Sequence, residues 1–96
     1  MNHAIFIVKV INTPIHLIYS NFQTIEVKVR FPITRKKNSI NELTLLLWGQ
    51  SKDDFLKYYK IQDYLIIEGI LTLHDYKNED NDANIVVKRL YPFLLI

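Results

Sequence analysis

A single helix-forming stretch held between two strand-forming ones most constrains this chain. Leu43-Thr44-Leu45-Leu46-Leu47-Trp48-Gly49 reads as a strand and is followed by a charged segment from Ser51 to Lys60. After it comes Tyr64-Leu65-Ile66-Ile67-Glu68-Gly69-Ile70-Leu71-Thr72-Leu73. The order is strand, helix, strand, with one glycine closing the first strand and another interrupting the second. A helix wedged between two strands of an otherwise all-strand chain is what a small closed barrel needs to plug one open end. Ser51 is placed to cap the helix, with Asp53 and Asp54 in its first turn and Lys57 and Lys60 in its last. That charge order complements the helix dipole at both ends. Phe55 and Tyr59 lie four apart on one face, flanked by Leu56 and Tyr58, and that stripe suits a barrel plug. Gly69, central in the longest strand, predicts a bulge or a sharp bend.

The rest of the chain supplies the remaining strands. Residues 3–11 form the first by β-branched content, with Ile5, Ile7 and Ile11 on one face and Phe6, Val8 and Val10 on the other. A strand apolar on both faces needs a second cover, either a long loop or another subunit pairing along it. A long apolar edge invites pairing, which favours a homodimer or homotetramer built through residues 3–11. Asn12-Thr13-Pro14 breaks the strand, and Ile15 to Tyr19 is a short extended piece. From Phe22 to Phe31 the alternation is clean, with Ile25, Val27, Val29 and Phe31 facing one side and Thr24, Glu26, Lys28 and Arg30 the other. Pro32 ends that second strand. Ile33 to Asn41 reads as a long hairpin loop carrying Arg35-Lys36-Lys37, and long loops in small domains are more often functional than accidental. Glu42 to Trp48 is the third strand, Tyr64 to His74 the fourth and Ala83 to Leu90 the fifth, with a polar, acidic hairpin tip from Asp75 to Asp82. Tyr91-Pro92-Phe93-Leu94-Leu95-Ile96 is expected to leave the barrel as an apolar end. The reading is an all-β fold with one short helix, a five-stranded barrel of oligonucleotide-binding (OB) topology with the helix between strands three and four. It forms a single domain over residues 1–96, without repeat or linker.

Composition removes most chemistry. The 96 residues have room for one modest core. With 49% hydrophobic and 23% charged residues, usage is ordinary for a globular domain, and a net charge of +2 neither demands nor excludes a polyanionic partner. The absence of Cys excludes disulfides, thiolate metal sites and Cys nucleophiles. His3, His16 and His74 stand far apart, none with a companion at metal-ligand spacing. Glu79, Asp80 and Asp82 lack the glycine and closing Glu of a calcium loop, and two glycines in all leave no phosphate cradle. No enzyme, cofactor or metal is expected. The apolar run Ala4 to Val8 is too short for a signal peptide and no stretch is long enough to cross a bilayer, so the chain is expected to remain in the compartment where it is made.

Binding a single strand of nucleic acid asks for less: cations that follow the backbone and exposed aromatics on which bases stack. Lys28 and Arg30 lie on the polar face of the second strand, with Arg35, Lys36 and Lys37 on the loop beyond it. Trp48 ends the third strand out of phase with Leu45 and Leu47. Tyr76 and Lys77 stand at the root of the last hairpin, and Lys88 and Arg89 on the final strand. On the residues alone, Trp48 fits a base-stacking position or the core, and Tyr76 a stacking position or loop packing. The rival class is a protein-interaction module that has kept the barrel and lost the ligand, supported by the low net charge and the apolar stretches near both ends. RNA is a third possibility, since stacking does not read the sugar.

Trp48-Gly49, the amphipathic stretch from Asp53 to Tyr59 and Glu68-Gly69 together resemble the bacterial-type single-stranded-DNA-binding (SSB) protein family, and the likeness covers most of the chain. Asn2 and Pro14 fit the family's opening. The resemblance implies an OB fold and single-stranded DNA as the partner, bound without sequence preference in replication or restart. It places Trp48 and Tyr76 on base-stacking aromatics. Arg35 lies near a third such position and is not aromatic here. Within the family the chain looks most like small SSB-like proteins encoded in plastid genomes, which end in a similar Tyr-Pro-Phe-Leu-Leu. That likeness implies the plastid stroma. Three departures stand out: Val8 and Ile11 replace common glycines, Ile61-Gln62-Asp63 lacks the usual Lys-Gly turn, and no acidic tail for partner recruitment is expected after Ile96. In that last respect the chain is similar to the tailless primosomal B relatives of SSB.

Overall fold

Period-two alternation builds the five strands that form the barrel of this protein. In the computed structural model, which describes residues 3–19, 21–32, 42–74 and 82–93, the elements are β1 (His3–Val10), β2 (Ile15–Tyr19), β3 (Phe22–Arg30), β4 (Glu42–Trp48), α1 (Gly49–Tyr58), β5 (Tyr64–His74) and β6 (Asp82–Pro92). Alternate residues converge inside: Val8 and Val10 from β1, Ile25, Val27 and Val29 from β3, Leu43, Leu45 and Leu47 from β4, Leu65 and Ile67 from β5, and Ala83, Ile85 and Val87 from β6. Among the described residues no polar or charged side chain is buried, so burial here is purely apolar.

The strands close into a ring in the order β1–β5–β6–β4–β3 and back to β1. All neighbours run antiparallel except β4 and β6, which pair in parallel at Thr44–Asn84, Leu45–Ile85 and Leu46–Val86. The return from β3 to β1 rests on Lys9–Arg30 and Val10–Val29, with the Ile11 N–H donating to the Lys28 carbonyl at 3.0 Å. The turn after the helix supports this junction. The Val10 carbonyl accepts the Gln62 N–H at 2.8 Å, the Val10 N–H donates to the Asp63 carbonyl at 2.9 Å, and Gln62 itself sits at φ 82°, in the left-handed region.

The ring has the five strands and the single helix expected. The short piece Ile15–Tyr19 is a strand of its own, which makes the sheet six-stranded and places the helix between β4 and β5 in this count. The reason lies in β3. Along the edge turned away from β4 it meets β1 only at Val29 and Arg30, so on the remainder of that edge β2 pairs from Ile15–Glu26 to Tyr19–Phe22 once Pro14 has broken β1.

Three local expectations are corrected. The helix begins at Gly49 rather than after a Ser51 cap, with Trp48 at the N-cap in extended conformation and no side-chain cap. Gly49 at φ 62° reverses the chain directly out of β4, a conformation that suits only glycine well. The first turn therefore holds neither Asp53 nor Asp54, Lys57 stays in the last turn, and Lys60 lies beyond the end. The Ser51 hydroxyl donates instead to the Lys88 carbonyl at 3.4 Å. Lastly, Tyr91 and Pro92 do not leave the barrel: β6 runs on past Leu90, pairing Tyr91 with Ile66 and Pro92 with Leu65. The Phe93 N–H then donates to the Tyr64 carbonyl at 3.2 Å.

The helix plugs the barrel as expected. Phe55 is buried in the core, with its ring centroid 5.8 Å from that of Tyr59. Burial pushes the Tyr59 hydroxyl above its usual range, and the carboxylates of Asp54 and Asp63 push the same way. The expected irregularity at Gly69 is present. Glu68 pairs with Arg89 and Gly69 with Val87, which leaves Lys88 as the extra residue of a bulge. A Cβ at Gly69 would overlap the Val86 carbonyl oxygen and stand 2.9 Å from Ile85 Cγ2, so only glycine fits this close approach.

Candidate nucleic-acid interface

The outer face of β3 and β4 collects most of the described candidates. Residues directly opposite in an antiparallel pair point to the same side. The pairs Thr24–Trp48, Glu26–Leu46, Lys28–Thr44 and Arg30–Glu42 therefore form one outward surface. Leu43, Leu45 and Leu47 take the inward positions of β4, which leaves Trp48 39% exposed. Phe22, in phase with Thr24 and Lys28 on β3, is 62% exposed and stands diagonally from Trp48, a spacing of about 7–8 Å in such sheets. Two large rings thus share the end of the face nearest the helix N-terminus.

Charge on this surface is mixed. The Arg30 guanidinium donates from Nη2 to Glu42 Oε2 at 3.1 Å, both side chains about half exposed. Lys28 is exposed and belongs to none of the ion pairs formed among the described residues. It lines a half-open cleft of about 370 Å³ together with Asn12, Thr13, Ile15, Glu26, Thr44 and Ile61. A second groove of about 360 Å³, bounded by Thr13, Pro14, Phe55, Leu56, Tyr59, Lys60 and Ile61, lies along the end of α1 and is more apolar.

Of the residues singled out in the sequence, Lys28, Arg30 and Trp48 share this face. Arg35, Lys36, Lys37, Tyr76 and Lys77 lie outside the described residues. Lys88 and Arg89 are both exposed, Lys88 at the bulge and Arg89 opposite Glu68, toward β1 and β5. Sequence reasoning passed over Phe22, whose signal was an aromatic in phase with Thr24, Glu26 and Lys28 on an otherwise polar face. It also passed over Glu42 as the partner of Arg30. Among the described residues no group of three His, Asp or Glu side chains is placed to hold a metal, and no helix is long and apolar enough to cross a membrane.

A second outward surface differs in character. On β1 and β5 the pairs His3–Ile70, Ile5–Glu68 and Ile7–Ile66 face out, with Tyr91 of β6 opposite Ile66. Ile5 is 71% and Ile7 40% exposed. Along its other edge β1 has a partner only at Lys9 and Val10, so residues 3–8 present an open strand edge among the described pairings.

A five-stranded ring closed by one parallel pairing and plugged by a helix is the OB fold, and solved structures agree. The second SSB protein (SSBb) of Mycobacterium smegmatis superposes with a TM-score of 0.72 at 19% identity, over 95% of this chain and 87% of that one. The small single-stranded DNA-binding protein of Streptomyces coelicolor gives 0.75 at 13% identity, over 96% and 92%. The SSB domain of a Synechococcus protein gives 0.73 at 20%, over 95% and 94%. No protein-family model matches the sequence. The "putative single-stranded DNA-binding protein ycf41" of Trieres chinensis is 32% identical over 103 residues, spanning 99% of this chain and 91% of that protein. The chain belongs to this ycf41 family of small SSB-like proteins.

Proposed function

We propose that this protein binds single-stranded DNA, without general sequence preference, across the outer face of β3 and β4. The observation that carries this reading is Trp48, half out of the barrel and on the same surface as Lys28 and Arg30. Bases stack on Trp48, on its diagonal neighbour Phe22 and on Tyr76, each stacked base contributing about 1–3 kcal/mol. Lys28, Arg30, Arg35, Lys36, Lys37 and Lys77 neutralise phosphates. The protein is a binding protein rather than an enzyme and acts in the plastid stroma, where exposed single strands arise in replication and restart. The kinship with a relative named for single-stranded DNA supports the ligand.

The same reading includes self-association. The open edge of β1 and the exposed Ile5 and Ile7 suit pairing with a second copy, giving a homodimer or homotetramer through residues 3–11. Because Trp48 is the only tryptophan, its fluorescence reports directly on the site. Titration with oligo(dT) is expected to quench it. The affinity should fall with salt at a log–log slope of about −0.7 per phosphate contact on a single strand. No quenching and no salt dependence would remove the proposal.

A protein-interaction module is the second reading, favoured by one observation: Ile5, Ile15 and Ile18 are all more than half exposed. Capture from a native extract with and without nuclease separates the two. Partners that survive nuclease support the module, and partners lost with it support nucleic-acid binding.

A further inference from the structure

We infer that the cleft beside Lys28 is a nucleobase subsite that favours bases bearing an exocyclic amino group, one position read within an otherwise indifferent track. The inference rests on the single-strand reading above and deepens it. The cleft's volume, about 370 Å³, falls at the lower end of the roughly 300–1,000 Å³ range of small-ligand sites. Its lining combines three kinds of group. Ile15 and Ile61 leave apolar surface open to the cleft, 56% and 37% exposed, which suits the faces of a flat ring. Asn12, Thr13 and Thr44 bring short polar side chains suited to ring edges. Glu26 and Lys28 bring one charge of each sign.

The position of the cleft matches the proposed track. Thr44, which lines it, lies four residues before Trp48 on β4, about 13 Å by strand rise. A strand stacked at Trp48 reaches the cleft within the several nucleotides that an OB fold typically covers. Lys28, paired laterally with Thr44, is placed to hold a phosphate at the cleft mouth.

Glu26 is the discriminating group. A negative charge on a surface that carries phosphates weakens binding unless it gains a donor. An ionised carboxylate only accepts hydrogen bonds, so it pairs with the exocyclic amino group of cytosine, adenine or guanine, whereas thymine's one donor, its ring N–H, lies between two carbonyl oxygens that repel the carboxylate.

The test compares oligo(dC) with oligo(dT) on the full chain and on Glu26→Gln, read by Trp48 quenching, with thermal melting to confirm the fold. An amide both donates and accepts, so Glu26→Gln should lower the dC-to-dT affinity ratio about fivefold, the size of one net hydrogen bond. Lys28→Gln should weaken both oligomers alike. If Glu26→Gln raises both affinities together and leaves the ratio unchanged, Glu26 is merely a repelling charge and the inference is overturned. If neither oligomer quenches the unaltered protein, the DNA reading itself has failed. Amide shifts at Asn12, Thr13 and Thr44 then decide the subsite: larger shifts with dCMP than with dTMP sustain it, and equal or absent shifts overturn it.

Discussion

The outer face of β3–β4 and the outer face of β1–β5 come from the same barrel and the same alternation, yet they suit different partners. On the first, the outward positions hold Thr24, Glu26, Lys28, Arg30, Glu42, Thr44 and Leu46 with rings at Phe22 and Trp48. On the second they hold Ile5, Ile7, Ile66 and Ile70, with His3 and Glu68 set among them, 3.6 Å apart. The first surface is polar, of mixed charge and furnished for stacking. The second is mainly apolar and borders a strand edge left open among the described pairings. One fold thus offers two chemically distinct faces by what it places at alternate residues, one for the proposed ligand and one for the proposed subunit contact.

The sharpest way to break that separation is to remove what both faces share. Phe55→Ala should cost about 3–5 kcal/mol in denaturant unfolding, since a buried ring leaves a cavity at the plugged end. Both oligonucleotide binding and self-association should fall with it. Gly69→Val should act in the same way, at about 3 kcal/mol, because the new side chain has no room beside Val86 and Ile85. Full binding with a collapsed melting temperature would show that the faces do not depend on one scaffold.

Ile5→Lys tests the faces apart. It should drive the assembly to monomer in sedimentation velocity while each chain keeps its affinity for a short oligomer. Trp48→Ala is the converse. Binding of labelled oligo(dT), followed by anisotropy, should weaken by about 1–3 kcal/mol. Stability should fall by about 1–2 kcal/mol, less than for Phe55→Ala because the ring is only partly covered, and the assembly state should not change. The smallest effect is expected from Glu42→Gln. Freeing Arg30 from its exposed partner should tighten binding about threefold and steepen the salt slope by about 0.7, the value of one further phosphate contact.

Much of this was legible in the chain. The run Ile25-Glu26-Val27-Lys28-Val29 sets the outward phase of Lys28, while Leu43-Thr44-Leu45-Leu46-Leu47 puts Trp48 out of phase with the buried leucines but leaves its exposure to the fold. Gly69 announced a bulge. What escaped depends on partners distant in sequence. The helix starts at Gly49 rather than after Ser51, and a local cap rule cannot see that the Ser51 hydroxyl has the Lys88 carbonyl to bond, 37 residues on. That Ile15–Tyr19 joins the sheet depends on β3 having an edge that β1 covers only at Val29 and Arg30. The tie between Arg30 and Glu42 follows from the β3–β4 register across the intervening loop, which composition does not set. Phe22 was read as the opening of a strand rather than as a ring on a polar face.

The junction between β1 and β3 has a consequence for how the molecule breathes. β1 is laced to β5 from His3 to Lys9 but meets β3 only at its last residues, where Gln62 and Asp63 act as a peg. Opening of the barrel should begin at this narrow seam and spare the β3–β4 ladder. Amide exchange at Ile11 and Gln62 should therefore outpace that of Val27 and Leu45, and a strand of DNA held on β3–β4 would ride through such openings undisturbed.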